Sequence, residues 1–226
     1  MCRWDPAAES TCETLVAEAL LTAPLSPEPL QTLASVRISQ LRVEDARAAL
    51  ARSMELWVDL PPEDPHVPEF ATRISLARLL MEAGMEEGAM GVLERLVRED
   101  DGCVEAWYLG GWCLWLMGER RGREGDGEAG KREERDAGGE GGKELWVESR
   151  EWLGNCLKLY EGKGYEDERL RDHARELVQG LDRELGEVVG GEEEEEGEWE
   201  DEVEDGDEED EDEEGGHAGD LEMNGT

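Results

Sequence analysis

The chain has 226 residues, of which 61 are Asp or Glu and 23 are Lys or Arg, so its formal net charge is −38 at pH 7. Because a polyanion of this kind repels phosphate groups, the composition excludes direct binding of DNA or RNA as its function. One Phe and three Tyr accompany abundant Leu, Ala, Glu and Arg, which predicts an all-α fold without strands.

A four-residue pattern recurs along the chain and predicts a series of similar helices. Each copy begins with a small residue and has a large residue four positions later, a small or apolar residue seven positions later and a large residue eight positions later. At these spacings all four residues share one helix face. The first two copies lie 34 residues apart. The four copies are Cys12, Val16, Ala19, Leu20; Ala46, Leu50, Ser53, Met54; Ala89, Leu93, Leu96, Val97; and Ser149, Leu153, Cys156, Leu157.

The two later spacings, 43 and 60 residues, are longer because the chain contains two low-complexity insertions. Residues 61–69 (PPEDPHVPE) are proline-rich and unsuited to a helix interior. Residues 119–144 are charged and rich in glycine, which predicts a disordered loop. Removing the two insertions restores one period of 34 residues.

Each of the last three copies is preceded by a second helical pattern. These patterns are Leu30, Leu33, Ala34; Leu76, Ala77, Leu80; and Trp107, Gly110, Gly111, Leu114. Helix pairs at a 34-residue period resemble the tetratricopeptide repeat. The resemblance implies an α-solenoid over residues 9–186, with about three helix pairs and a cap helix at each end, the second over residues 165–186. The alternative is an irregular helical bundle with the same amphipathic periodicity.

Tetratricopeptide solenoids bind ligands mainly on the concave side, which the first helix of each pair lines. The register predicts the groove residues Ile74, Arg78, Met81, Glu82, Glu105, Tyr108, Trp112 and Trp115. Aromatic faces beside carboxylates suit Arg and Lys side chains through cation–π contacts and charged hydrogen bonds. For Trp112 and Trp115 the alternative is a place in the core between neighbouring repeats.

Residues 187–226 contain 22 acidic residues and no Lys or Arg, which predicts a disordered acidic tail. Such a tail either keeps the protein soluble or attracts a polycationic partner at long range. The second reading is favoured here because the rest of the chain is acidic too. The tail residues assigned to this role are Glu192, Glu193, Glu194, Glu195, Glu196, Glu208, Glu209, Asp210, Glu211 and Asp212.

The sequence offers no catalytic, metal or cofactor site. Its five cysteines form no CxxC pair, and its three histidines are scattered. It has neither a phosphate-binding nor a dinucleotide-binding motif, and no apolar run approaches the roughly 20 residues of a membrane span. A binding protein without cofactor or membrane contact is therefore predicted, and not an enzyme.

The combination of a short solenoid, an insertion in its last unit and the tail EEEEEGEWEDEVEDGDEEDEDEE resembles a fungal family, the dedicated assembly chaperones of the fourth large-subunit ribosomal protein. The segment LVREDDGCVEAWYLGGWCLWLMGE supports the same resemblance. It implies a newly made, strongly basic ribosomal protein as client, with its basic extension in the concave groove. The chaperone would be a monomer in a one-to-one complex that keeps the client soluble and escorts it from the cytoplasm to pre-ribosomes in the nucleus.

Two other functions are compatible with the same features. The first is an acidic chaperone of histones, which the tail permits equally well. The second is a tetratricopeptide scaffold or adaptor that binds a neutral peptide, with the tail only as a solubiliser. The salt dependence of binding separates the second from a chaperone of basic proteins, since screening weakens only charged contacts.

Overall fold

A computed structural model of the chain describes residues 6–127 and 136–186. Within these ranges the structure is all-helical, as predicted. None of the helices described is long and apolar enough to cross a membrane. The helices are α1 (Pro6–Thr22), α2 (Glu28–Ser39), α3 (Val43–Glu55), α4 (Phe70–Glu82), α5 (Glu86–Glu99), α6 (Val104–Gly127), α7 (Asp136–Lys163) and α8 (Glu168–Leu185).

Consecutive helices pack in pairs, and the pairs stack. α2 packs against α3, α4 against α5, and α6 against α7. In addition, α2 contacts α4, α4 contacts α6, and α6 contacts α8. The first helices of the pairs therefore form a continuous row, with α8 at its end and α1 beside α2. This arrangement confirms the predicted tetratricopeptide-like solenoid of three pairs with terminal cap helices.

The recurring pattern marks the buried face of the second helix in each of the three pairs. The first three residues of each copy are buried, namely Ala46, Leu50, Ser53; Ala89, Leu93, Leu96; and Ser149, Leu153, Cys156. Its two buried serines are satisfied, because Ser53 Oγ donates to the carbonyl oxygen of Pro27 (3.1 Å) and Ser149 Oγ to that of Gly111 (2.7 Å). Small residues thus bring each second helix close to its neighbours.

The copy of the pattern on α1 is much less buried. Val16 is buried and Leu20 half-buried, whereas Cys12 and Ala19 are exposed. The difference arises because α1 packs against α2 less extensively than α3 does, while α5 and α7 each contact two helices.

The proline-rich residues 61–69 lie in the connection between α3 and α4. The start of this connection is held by Arg95 on α5. Its guanidinium donates to the carbonyl oxygens of Val58 (3.0 Å) and Leu60 (2.9 Å) and lies 5.4 Å from the ring centroid of buried Trp57.

The second insertion is largely helical where the structure describes it. α6 continues to Gly127 and α7 begins at Asp136, so the prediction of a disordered loop over 119–144 is wrong for residues 119–127 and 136–144. The central part, residues 128–135, lies outside the described residues, as does the acidic tail, residues 187–226.

Contacts with the solenoid explain why α6 continues beyond the repeat. Arg120 Nη2 donates to Oε1 of Glu86, a buried residue at the start of α5, at 2.6 Å. Within α6 itself, Arg123 pairs with Glu119 one turn earlier at 3.1 Å. In addition, α6 and α7 approach closely, since a Cβ added to Gly118 on α6 would lie 3.2 Å from the carbonyl oxygen of Gly142 on α7. Tertiary contacts therefore overcome the poor helix propensity of glycine.

Helix α8 forms the second cap. Asp167 Oδ1 caps its first turn by accepting hydrogen bonds from the backbone N–H groups of Arg169 (3.0 Å) and Leu170 (3.1 Å). The helix ends before Gly186, whose φ of 81° favours glycine. Its buried residues, spaced by three and four, are Leu170, Ala174, Leu177 and Leu181.

Candidate binding groove

The row of first helices contains a cavity of about 670 Å³ between α4, α6 and α8. Its size is within the range of about 300–1,000 Å³ that is usual for ligand pockets. The lining residues are Arg78, Met81, Glu82, Tyr108, Leu109, Trp112, Leu116, Asp167, Arg169, Leu170 and His173.

Helical periodicity determines which side chains reach the cavity. On α6, Tyr108, Trp112 and Leu116 follow one another at intervals of four residues and so form one stripe. On α8, Leu170 and His173 are three residues apart and lie on the same face. Each helix thus turns one narrow stripe to the cavity and packs its other apolar positions into the core.

Tyr108, Trp112 and His173 form a continuous wall that joins α6 to α8. The Tyr108 hydroxyl oxygen lies 2.7 Å from Nδ1 of His173. The His173 ring meets the Trp112 ring edge-on, with centroids 5.1 Å apart. Burial raises the pKa of Tyr108 to about 12, so the hydroxyl stays protonated and can donate at neutral pH.

The outer edge of the groove carries an ion pair and a second tyrosine. Arg78 on α4 pairs with Glu105 on α6. Tyr165, in the connection between α7 and α8, lies near this pair. Burial, together with the negative charges of Glu105 and Asp167, raises the pKa of Tyr165. At this edge the positive charge of Arg78 is thus accompanied by the negative charge of Glu105.

Two charged groups at the cavity lack a partner within the described residues. Glu82 ends α4 and is exposed, and neither its carboxylate nor the guanidinium of Arg169 on α8 has a hydrogen bond or ion pair in the part of the chain that is described. Asp167 is engaged in capping α8. Among the described residues the cavity thus has an acid without a partner on its α4 side, and on its α8 side a base without an ion pair beside the capping Asp167.

Five of the eight predicted groove residues line the cavity: Arg78, Met81, Glu82, Tyr108 and Trp112. Glu105 lies beside it through its pair with Arg78.

The other two predicted groove residues pack into the core. Ile74 is buried among the residues of the main core. Trp115 packs against buried Leu153 and Leu177 of α7 and α8. Neither residue lines the cavity: the stripe of α6 that does so consists of Tyr108, Trp112 and Leu116, and the stripe of α4 begins at Arg78.

The contribution of α8 was not predicted. Asp167, Arg169, Leu170 and His173 line the cavity, although residues 165–186 were expected only to cap the solenoid. The signal was available in the register, because a helix that follows a complete pair occupies the position of the next first helix and adds a stripe to the groove.

Within residues 6–127 and 136–186, no group of three or more His, Cys, Asp or Glu residues is placed to hold a metal ion. The two buried thiols are not activated nucleophiles, because burial raises the pKa of Cys113 and of Cys156 to about 12. The chemistry of the site is therefore that of a groove with an apolar floor and charged edges.

Comparison with known proteins relates this solenoid to assembly chaperones. No protein-family model matches the chain. It is 58% identical over 205 residues to a protein of Emericella nidulans named "Probable assembly chaperone of rpl4", in an alignment that covers 88% of this chain and 53% of the relative. A protein of Schizosaccharomyces pombe with the same name is 36% identical over 197 residues, covering 87% of this chain and 55% of the relative.

A solved structure titled "Assembly Chaperone of RpL4 (Acl4) (Residues 1-338)" is 55% identical, with a TM-score of 0.52 and coverage of 54% of this chain and 43% of that chain. This chain spans about half the length of the curated relatives it matches. The family resemblance of the sequence is thereby confirmed, and the chain is homologous to the assembly chaperones of rpl4.

Proposed function

We propose that this chain binds rpl4, a ribosomal protein of the large subunit, as its dedicated client. In this proposal it binds the newly made client, keeps it soluble and escorts it to pre-ribosomes. The observation that carries the proposal is the identity of 58% to a protein named for assembly of rpl4. A second support is charge, since proteins that bind ribosomal RNA are basic and this chain has a net charge of −38.

The groove is the proposed binding surface for the basic extension of the client. Glu82 supplies a carboxylate that has no partner in the described part of the chain, and Trp112 and Tyr108 supply aromatic surface for cation–π contacts. Arg78 and Glu105 form one edge of the surface as a pair. The groove residues thus contribute specificity more than net attraction.

The acidic residues 187–226 are proposed to speed the first encounter with the client. Long-range attraction raises association rates more than it stabilises a docked complex. The complex is proposed to contain one copy of each protein, to use neither nucleic acid nor membrane, and to pass from the cytoplasm to the nucleus. Its role is binding and not catalysis.

Affinity purification of the tagged chain from cells in active translation tests this function, with mass spectrometry of the proteins that co-purify. We expect one basic ribosomal protein, rpl4, in near-equal amount. A mixture of histones would instead favour a histone chaperone, and neutral partners that resist high salt would favour a scaffold.

A further inference from the structure

The floor of the groove cavity is apolar, although the chain as a whole is strongly acidic. Met81, Leu109, Trp112, Leu116 and Leu170 form this floor on three different helices. Leu109 is almost fully buried, whereas Leu116 is half-buried. Among these side chains a cationic head group can interact only with the ring of Trp112, whereas an aliphatic or aromatic side chain gains contact with all of them.

The charges at the cavity restrict what can lie beside such a side chain. Glu82 is unpaired within the described residues on the α4 side, while Arg78 on the same helix already pairs with Glu105. On the α8 side Arg169 has no ion pair within the described residues, and its charge offsets that of Asp167, which caps the same helix, so Glu82 is the acid at the cavity without a nearby counter-charge. In a bound segment, a basic residue next to the apolar residue in the cavity is therefore directed towards α4 and Glu82.

We infer that the cavity binds one apolar side chain of a client segment, with a Lys or Arg within two positions of it at Glu82. This inference rests on the proposed function, because it takes rpl4 as the client. It defines the recognised element as an apolar anchor within a basic segment, and not as basic charge alone. An rpl4 segment that has only basic side chains would then bind weakly however many it has.

The expected loss of affinity follows from the burial of the anchor. Full burial of a Leu, Ile, Met or Phe side chain accounts for about a tenfold or larger change in affinity. A variant that places a larger side chain over the apolar floor should lose much of this contribution. Leu116→Trp is suitable, because Leu116 borders the cavity and is already half-buried. The matched control is Leu56→Trp, since Leu56 is also half-buried against the main core but lies at the end of α3, away from the cavity.

The first test measures the affinity of the purified chain for full-length fungal rpl4. We expect Leu116→Trp to raise the Kd at least about tenfold, and Leu56→Trp to change it less than about threefold. Equal affinities of the wild type and Leu116→Trp would overturn the inference and leave the proposed function standing. A wild-type chain that does not bind rpl4 would overturn both.

The second test uses the unmodified chain, so it does not depend on whether a variant folds. Overlapping peptides of rpl4 are tested for binding, and each apolar residue of the best peptide is then replaced by Ser. We expect one replacement to weaken binding at least about tenfold, at a residue with Lys or Arg within two positions. The inference fails if no single replacement matters more than about twofold, or if full-length rpl4 binds while none of its peptides does.

Discussion

Replacement of Gly111 by Ala tests a close approach between α6 and α7. Gly111 on α6 faces Leu153 on α7, and its carbonyl oxygen accepts the Ser149 hydroxyl at 2.7 Å. An added Cβ would lie 2.6 Å from Cγ and 2.8 Å from Cδ2 of Leu153, and 3.1 Å from its backbone nitrogen. Leu153 is fully buried, so the helices must move apart.

The two opposing contributions can be compared. Overpacking of a well-packed core costs about 1–3 kcal/mol, and the better helix propensity of Ala returns about 1 kcal/mol. Because two of the contacts are shorter than 3.0 Å and the third is to the backbone, we expect a net loss of about 1–2 kcal/mol in the free energy of unfolding. For a chain of this size the midpoint of thermal unfolding should fall by about 2–8 °C.

The matched control is Gly91→Ala on α5, where an added Cβ would meet nothing within 4 Å. At this position only the better helix propensity of Ala acts, and we expect the midpoint of thermal unfolding to rise by about 1–4 °C. Far-ultraviolet circular dichroism during heating measures both variants. If Gly111→Ala unfolds at the same temperature as the wild type or higher, while Gly91→Ala is stabilised, α6 and α7 do not approach as described.

Three further predictions concern stability and binding. Arg73→Met should lower the free energy of unfolding by about 2–3 kcal/mol at pH 7, because it removes a buried guanidinium that donates twice to Glu99 (2.7 and 2.6 Å). The control Arg98→Met changes an exposed arginine and should lower it by less than about 0.5 kcal/mol. Urea unfolding measures both variants. Arg73 lowers the pKa of Glu99, so the stability that the pair contributes is present above the ordinary glutamate pKa and is lost as the pH falls through the lowered value. In Arg73→Met the free energy of unfolding should therefore fall less steeply with pH in that acidic range. The same pH dependence in variant and wild type would contradict the pairing. Asp167→Ala should lower stability by about 1 kcal/mol through loss of the α8 cap, and a neutral effect on thermal unfolding would argue against that cap. Deletion of residues 187–226 should slow association with rpl4 about tenfold or more at low salt and little at high salt in stopped-flow experiments, whereas equal rates at low salt would remove the tail from the mechanism.

The solenoid core could be predicted because burial within a helix follows local periodicity. Ala46, Ala89 and Ser149 each open a copy of the pattern, and all three are fully buried. The same reasoning located α8, since its apolar residues repeat at intervals of three and four. A period that depends only on residues within one or two turns is visible in the chain itself.

Features that depend on distant contacts could not be predicted in this way. The helical flanks of 119–144 have the composition of a loop, and their helix is held by contacts such as that of Arg120 with Glu86, 34 positions earlier. The position of Trp115 relative to the cavity depends on distant contacts in the same way. Which of two adjacent residues faces the groove depends on the rotation of α6 against α8, and Trp115 rather than Leu116 meets the α8 core.

The central claim is that the groove binds the basic client, and a charge reversal at Glu82 tests it most directly. Glu82 ends α4 at the cavity, and Glu55 ends α3 away from it; both are exposed. Each change to Arg alters the net charge equally, so long-range attraction is weakened to the same extent in both variants. Titration of rpl4 at low salt should give a Kd raised roughly fivefold or more for Glu82→Arg and by less than about twofold for Glu55→Arg. Equal effects of the two variants, or a wild-type chain that does not bind rpl4, would contradict the claim.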